Sequence, residues 1–401
     1  MSIRSAIVIG GGISGPVTAT ALHRAGIDVT VFEAYPGPAY GIGANLALAP
    51  NGTAALEIIG AADAVRAASN ASITSSGMSI NGKRIEMPTL QNVEPLRVID
   101  RPVLHQVLHD NAVAAGVHVE YNRRLVDIEE HADGVTAVFA DGSTATADVL
   151  IGADGIHSTV RTLVDPKAPG PTYLRMLGFG AYLDQVIDLP PDAMTFAFGK
   201  RAYYLYWSMP DGRMCWGANL PHEQYLSLTA ARSIPNEQWL RTLRDIYADD
   251  APGEEIARAT TAEQLQVVGA LHIMPPVPHW YRGRIALTGD AVHAPSNTSG
   301  QGASMAIESA IELARCLRDI DDPATAFATY EALRRPRVDA IAARVSKINN
   351  TKAAGPIARK AMQMVMPLAF KHMNVEKMMG HEQRFRIDWE ATVRPAVAPV
   401  G

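Results

Sequence analysis

Residues 7–15 read IVIGGGISG, and this stretch decides the fold. Ala6, Ile7, Val8 and Ile9 have the character of a buried strand, which breaks at Gly10, Gly12 and Gly15 and passes into an apolar-periodic helix through Val17, Ala21 and Leu22. Strand, glycine turn and helix follow in the order a dinucleotide fold requires. Gly10 permits the tight turn, Gly12 lets the main chain approach a pyrophosphate, and Gly15 lets the helix pack closely on the strand. The helix start offers unpaired N–H groups and a partial positive charge to the phosphates. A second strand, Asp28 to Phe32, ends at Glu33, whose carboxylate can accept a hydrogen bond from an adenosine ribose 2′-hydroxyl. The same carboxylate would repel a 2′-phosphate, so NADP is not expected in this site.

FAD and NAD both satisfy that turn, and two later strand-turn units separate them. VLIGADGIHSTVR (149–161) is a buried strand ending at Asp154 and Gly155, followed by Ser158 and Arg161. Its plain structural reading is a helix-capping turn, with Arg161 solvated. ALTGDAVHAPSNTSGQG (286–302) delivers Gly289 and Asp290 from a strand, then His293 and a loop ending at Gly300, Gln301 and Gly302. The spacing of Met305, Ile307, Ile311, Leu313 and Leu317 predicts a helix through Leu317. Asp290 sits where a strand end can offer a carboxylate to ribityl hydroxyls. The helix start at Gly302 can offer backbone donors to the edge of a flavin that becomes negative on reduction. Two glycine turns that can hold opposite ends of one long cofactor point to FAD.

With these motifs in place, the chain resembles the class A flavoprotein monooxygenases, the para-hydroxybenzoate hydroxylase-like family of FAD-dependent aromatic hydroxylases. RVIDRPVLHQVL (97–108) is similar to the family segment in which an arginine, here Arg101, contacts FAD, and YEALRRPRV (330–338) to the helix after the cofactor domain. The resemblance implies that Gly10, Gly12, Gly15 and Glu33 bind the ADP half of tightly held, non-covalent FAD. Arg101 would bind its centre, Asp290 the ribityl and pyrophosphate region, and Gly300, Gln301 and Gly302 would lie under the ring system. Asp154 and Arg161 would support FAD and a transient NADPH or NADH, which has no Rossmann domain of its own in this family. The reaction implied is hydroxylation, or epoxidation, of an aromatic or unsaturated small molecule by dioxygen through a flavin hydroperoxide. Open alternatives are an FAD reductase or dehydrogenase that inserts no oxygen, and a NAD-sensing or scaffold protein without turnover.

Three departures stand out: Asn297 where relatives place a proline, no arginine in the loop AYPGPAYGIGAN (34–45) after Glu33, and Ser309 where an acidic residue is common. The halogenase signature Trp-x-Trp-x-Ile-Pro is missing, since Trp207 leads to Ser208, Met209 and Pro210.

The 401 residues exceed one ordinary core. The fold class expected is α/β: a Rossmann-type FAD-binding domain with an inserted mixed or antiparallel β-sheet substrate domain, and C-terminal helices. Residues 1–70, 98–170 and 282–330 would form the cofactor domain, 71–97 and 171–281 the substrate domain, and 331–401 the C-terminal helices and tail. Proline and glycine cluster at DPKAPGPTY (165–173) and MPPVPHW (274–280), the two expected crossings. Between them, aromatic alternating segments read as antiparallel strands with turns at Pro190–Pro191 and Asp211–Gly212, and residues 71–97 should add strands to the same sheet. A net charge of −5 gives no reason to expect nucleic acid or an anionic membrane. Cys215 and Cys316 offer neither a disulfide framework nor metal spacing. The first strand begins almost at Met1, leaving no room for a signal peptide, and no apolar run approaches a membrane span, so a cytoplasmic monomer or homodimer is expected. The Met-rich stretch Ala361 to Phe370 reads as an interior helix or a pocket edge, and RPAVAPVG (394–401) as a loose tail.

Because the cofactor carries the difficult bond changes, no compact triad is needed. A phenolic substrate would benefit from a base, for which Tyr203, Tyr204, Tyr206, His272 and Arg175 are the candidates in the pocket domain. Each has an ordinary structural alternative. His293 reads as a buttress behind the flavin loop, and Trp207 and Trp216 as core or pocket wall.

Overall fold

The structure is a computed structural model and describes residues 3–37, 45–80, 82–351, 365–366, 368–370, 372 and 374–396. Most of the loop after Glu33, much of the Ala361–Phe370 stretch and the end of the tail lie outside the described residues.

The run 5–9 does become a strand, Ser5–Ile9, at the centre of a six-stranded sheet. Its order is Tyr281–Arg282, Ile285–Leu287, Val149–Gly152, Ser5–Ile9, Asp28–Phe32 and His118–Glu120. All pairings are parallel except that of Tyr281–Arg282. Ile9 lies beside Gly152, and Gly152 beside Leu287, so three strands end level and release their turns at one edge. Strands of this sheet are apolar almost throughout because helices cover them, chiefly Ser14–Arg24 and Gly302–Asp319, which pack on each other. Gly15 lets the first helix sit close against its own strand and turn: a Cβ there would stand 1.9 Å from the Gly10 carbonyl oxygen.

A seven-stranded sheet follows the order Gln266–Ile273, Thr172–Asp184, Arg213–Pro221, Tyr203–Ser208, Ala193–Phe198, Ser75–Ile80, Lys83–Met87. It is mixed, since Ala193–Phe198 runs parallel to Ser75–Ile80. One face is buried under the helices Leu228–Ser233, Asn236–Tyr247 and Gly253–Ala259, with Tyr204, Tyr206, Trp216, Leu243 and Tyr247 in a common core. Its other face looks toward the carboxyl edge of the parallel sheet.

Two expectations need correction. Only Ser75–Ile80 and Lys83–Met87 of 71–97 join this sheet: Leu96–Asp100 instead pairs with both Asn45–Leu48 and Ala71–Ile73 in a separate three-stranded sheet. Their apolar residues Ala71, Ile73 and Val98 are needed there, packed against Met194, Trp207 and Cys215. The Pro190–Pro191 segment is a crossover, not a hairpin turn, because Thr172–Asp184 pairs with Arg213–Pro221 and Gln266–Ile273. Asp211–Gly212 does close a hairpin, with Gly212 at φ +83°. Among the described residues no helix is long and apolar enough to cross a membrane.

Gly15→Ala should force the first helix off its strand, costing about 1–3 kcal/mol as overpacked core sites do. A urea midpoint equal to that of the parent protein would show that the helix yields freely there.

Candidate active site

A cleft of about 1360 Å³ lies between the carboxyl edge of the parallel sheet and the open face of the seven-stranded sheet. This exceeds the usual volume of a single small-ligand pocket, roughly 300–1,000 Å³. The three turns converge on it. Gly10, Gly12, Glu33, Arg101, Asp154, Asp290, Gly300, Gln301 and Gly302 all line it.

At one end the helix Ser14–Arg24 starts with no side-chain cap and no acidic residue in its first turn. Its exposed N–H groups therefore lack protein acceptors from side chains. Among the described residues, Ser14 Oγ is buried there without a hydrogen-bond partner, and a Cβ on Gly12 would meet nothing within 4 Å. An orphan hydroxyl, an uncapped helix start and a glycine facing open space together fit a pyrophosphate. Glu33 accepts from the N–H of Gly11 at 2.6 Å and of Tyr35 at 2.9 Å, which fixes its carboxylate while leaving acceptor capacity on both oxygens. His105, missed by sequence reasoning, contacts the Gly11 carbonyl oxygen through Nε2 at 2.6 Å. A carbonyl only accepts, so Nε2 carries the proton. Burial pulls the His105 pKa down, keeping the ring neutral.

Asp290 also lines the cleft. Among the described residues its carboxylate accepts no hydrogen bond; burial raises its pKa, and the nearby charge of Arg101 opposes that rise. Such a carboxylate suits ligand hydroxyls.

Of the remaining expected cofactor residues, Asp154 lines the cleft while Gly15 and Arg161 act from behind. Gly15 packs the helix and does not line the cleft. Asp154 accepts from Ser158 Oγ at 2.5 Å, Thr159 N at 2.7 Å and Val160 N at 3.1 Å, capping the helix Thr159–Val164. Arg161 is a correction to its solvated reading, and it does not line the cleft. It is buried and donates to the carbonyl oxygens of Ala291 at 2.8 Å and Ile156 at 3.0 Å, tying the second turn to the third.

Behind Gly300–Gly302 lies a buried ionic cluster that sequence reasoning also missed. Glu308 has 0% exposure and accepts from Asn51 Nδ2 (2.6 Å), Arg334 Nη2 (2.8 Å) and both Nε and Nη2 of Arg337 (2.8 Å each). These arginines hold its carboxyl below the usual range despite burial. The available signals were Glu308, an acid set within the apolar spacing 305–317, and the arginines Arg334 and Arg337 of YEALRRPRV. Ser309, the unexplained departure, has its Oγ 2.8 Å from His293 Nε2 and 3.2 Å from Arg334 Nε. His293 is buried behind the loop, as its buttress reading has it, and burial together with Arg334 lowers its pKa to about 3. Asn297 reaches across the cleft and donates to Asn219 Oδ1 at 3.4 Å, joining the loop to the sheet.

The sheet floor presents Tyr203, Leu205, Trp207, Met194 and Phe196 to the cleft. Of the base candidates, only Tyr203 and His272 line it. Tyr204 and Tyr206 alternate onto the helix-covered face, where Tyr204 accepts from Gly253 N at 3.0 Å. Arg175 is exposed and paired with Glu223. Burial raises the Tyr203 pKa further above its ordinary value, which disfavours the phenolate a base would need. His272 Nδ1 lies 3.1 Å from the Ala270 carbonyl oxygen and so carries the proton, leaving Nε2 as the basic atom. Burial, then the charge of His157, lowers the His272 pKa.

Comparison with known proteins agrees with this geometry. A family model described as FAD binding domain matches residues 4–345. The chain belongs to that family. It is 33% identical over 352 residues to 3-amino-4-hydroxybenzoate 2-monooxygenase PtmB3 of Streptomyces platensis, covering 82% of this chain and 84% of that one. It is 29% identical over 376 residues to 3-hydroxybenzoate 6-hydroxylase of Klebsiella oxytoca, covering 90% and 92%. The crystal structure of Klebsiella pneumoniae HpxO complexed with FAD and uric acid superimposes with a TM-score of 0.79 at 25% identity, covering 95% of this chain and 96% of that one. The chain is therefore an FAD-dependent monooxygenase, an oxidoreductase of a family in which NAD(P)H is the typical reductant.

His293 gives a pH test. It stays neutral in the folded protein down to about pH 3 while the unfolded chain protonates near 6.5, so stability present above that range is lost as pH falls through it. His293→Gln should flatten the fall between about pH 6 and pH 4 by roughly 1.4 kcal/mol per pH unit. Equal slopes in urea titrations of the two proteins would contradict the buried neutral assignment.

Proposed function

We propose that the enzyme uses NAD(P)H and dioxygen to hydroxylate a small aromatic molecule held between the Gly300–Gly302 turn and the aromatic sheet floor. The carrying observation is the single cleft that runs from Glu33 past Asp290 to Tyr203, Leu205 and Trp207. One extended cofactor can fill the half lined by the turns and leave the apolar half for a substrate. Relatives named for hydroxybenzoate, aminohydroxybenzoate and urate support an aromatic acceptor. Epoxidation of an unsaturated molecule is the second reading, favoured by 31% identity over 84% of this chain, though 52% of the relative, to zeaxanthin epoxidase of Solanum lycopersicum.

Bound FAD supplies electron transfer from NAD(P)H and the activation of dioxygen. The chain's own residues bind and orient. Gly12 and the helix start at Ser14 receive the pyrophosphate, Glu33 the adenosine ribose, Arg101 the centre, Asp290 the ribityl hydroxyls, and Gly300–Gly302 the ring system. The apolar floor excludes water from the substrate half. His272 Nε2 takes the proton of an acidic substrate hydroxyl. The division into a discontinuous cofactor domain and an inserted substrate domain, the cytoplasmic location and a monomeric or homodimeric state complete this proposal.

Turnover under labelled dioxygen should place one labelled oxygen atom in the product, and unlabelled product formed at the rate of NAD(P)H oxidation would leave a reductase. Asp290→Ala should remove charge-assisted hydrogen bonds worth about 1.5–3 kcal/mol and weaken FAD binding by more than about tenfold. Unchanged affinity in a folded variant would move Asp290 out of the cofactor site.

A further inference from the structure

Gln301 lies in the turn that lines the cleft, yet its side-chain amide is held from behind. Its Oε1 accepts from Asn51 Nδ2 at 3.0 Å, and the same nitrogen donates to Glu308 Oε1 at 2.6 Å. An ionised carboxylate only accepts, so the Asn51 atom facing Glu308 is the nitrogen, and the Gln301 atom facing that nitrogen is the oxygen. A carboxylate seven residues further along the chain thus decides, through Asn51, that Gln301 turns its Nε2 away from the cluster. Among the described residues, Asn51 Oδ1 is itself buried without a partner. An unsatisfied amide oxygen is costly, and a side chain kept only for packing would avoid it.

We propose that Asn51 is a positioning residue for the cofactor turn: it locks the Gln301 amide so that its N–H donors join the backbone donors at Gly302 and favour the reduced, anionic flavin. This rests on the FAD reading above. Fixed donors in a low-dielectric site stabilise negative charge without reorganising, whereas an amide free to flip presents its oxygen as readily as its nitrogen.

The test is the midpoint potential of bound FAD, followed by absorbance during dye-coupled reduction, in the wild-type holoenzyme, Asn51→Leu, Gln301→Leu and the double variant. Each single substitution is expected to lower the midpoint, and Asn51→Leu to add nothing in the Gln301→Leu background. A folded, FAD-bearing Asn51→Leu with an unchanged midpoint, or an equal shift in both backgrounds, overturns the proposal; a side chain that only stabilises the fold moves the melting temperature and not the potential. If Asn51→Leu does not fold, Asn51→Asp goes through the same cycle, with the same expectation and the same overturning result. Wild-type protein that holds no FAD defeats the cofactor reading itself and this proposal with it.

Discussion

The close approach of three backbones at the carboxyl edge of the parallel sheet is the constraint on which the site depends. Ile9, Gly152 and Leu287 lie level in adjacent strands, so their turns emerge side by side. Contact between the turns is direct: a Cβ on Gly10 would stand 2.6 Å from the Ala153 carbonyl oxygen, and one on Gly289 would stand 2.7 Å from Ser14 Oγ. Segments about 280 residues apart in sequence thereby become one surface. An open α/β sheet binds ligands outside the carboxyl ends of its strands, and here three such ends supply an uncapped helix start, a carboxylate and a glycine loop in a row.

What holds these turns in place lies mostly out of reach of any ligand. Arg161 spends its guanidinium on the carbonyls of Ala291 and Ile156, so the second turn is clamped to the third. Glu308 collects four short hydrogen bonds from Asn51, Arg334 and Arg337 beneath the Gly300–Gly302 turn. Burying a carboxylate is tolerable because every acceptor position is used, and removing one partner would leave the rest uncompensated. A rigid cofactor shelf results, facing an apolar aromatic floor that is bound to it by Asn297 and Asn219.

Sequence patterning showed the shelf clearly because its chemistry is local. Gly10, Gly15 and Glu33 fall within one strand-turn-helix-strand unit, and steric need at a tight turn leaves a mark in the residues themselves. The floor was harder to read. Both faces of the seven-stranded sheet are apolar, one under helices and one toward the cleft, so alternation along YYLYWS (203–208) does not say which set faces the substrate. Tyr203 proved to face the cleft, and Tyr204 and Tyr206 the helices. Charged residues misled for a related reason: Arg161 and Arg175 look alike in sequence, yet one is buried against backbone carbonyls and the other pairs with Glu223 on the surface. Asn51 and Glu308 are 257 positions apart, and nothing local announces that pair.

Crystallography of the purified holoenzyme tests the central claim most directly. Extended electron density for a single FAD is expected, with its adenosine beside Glu33, its ribityl chain at Asp290 and its ring system against Gly300–Gly302. Density for the cofactor elsewhere, or a nucleotide ending at the first turn with nothing reaching the third, would contradict the account.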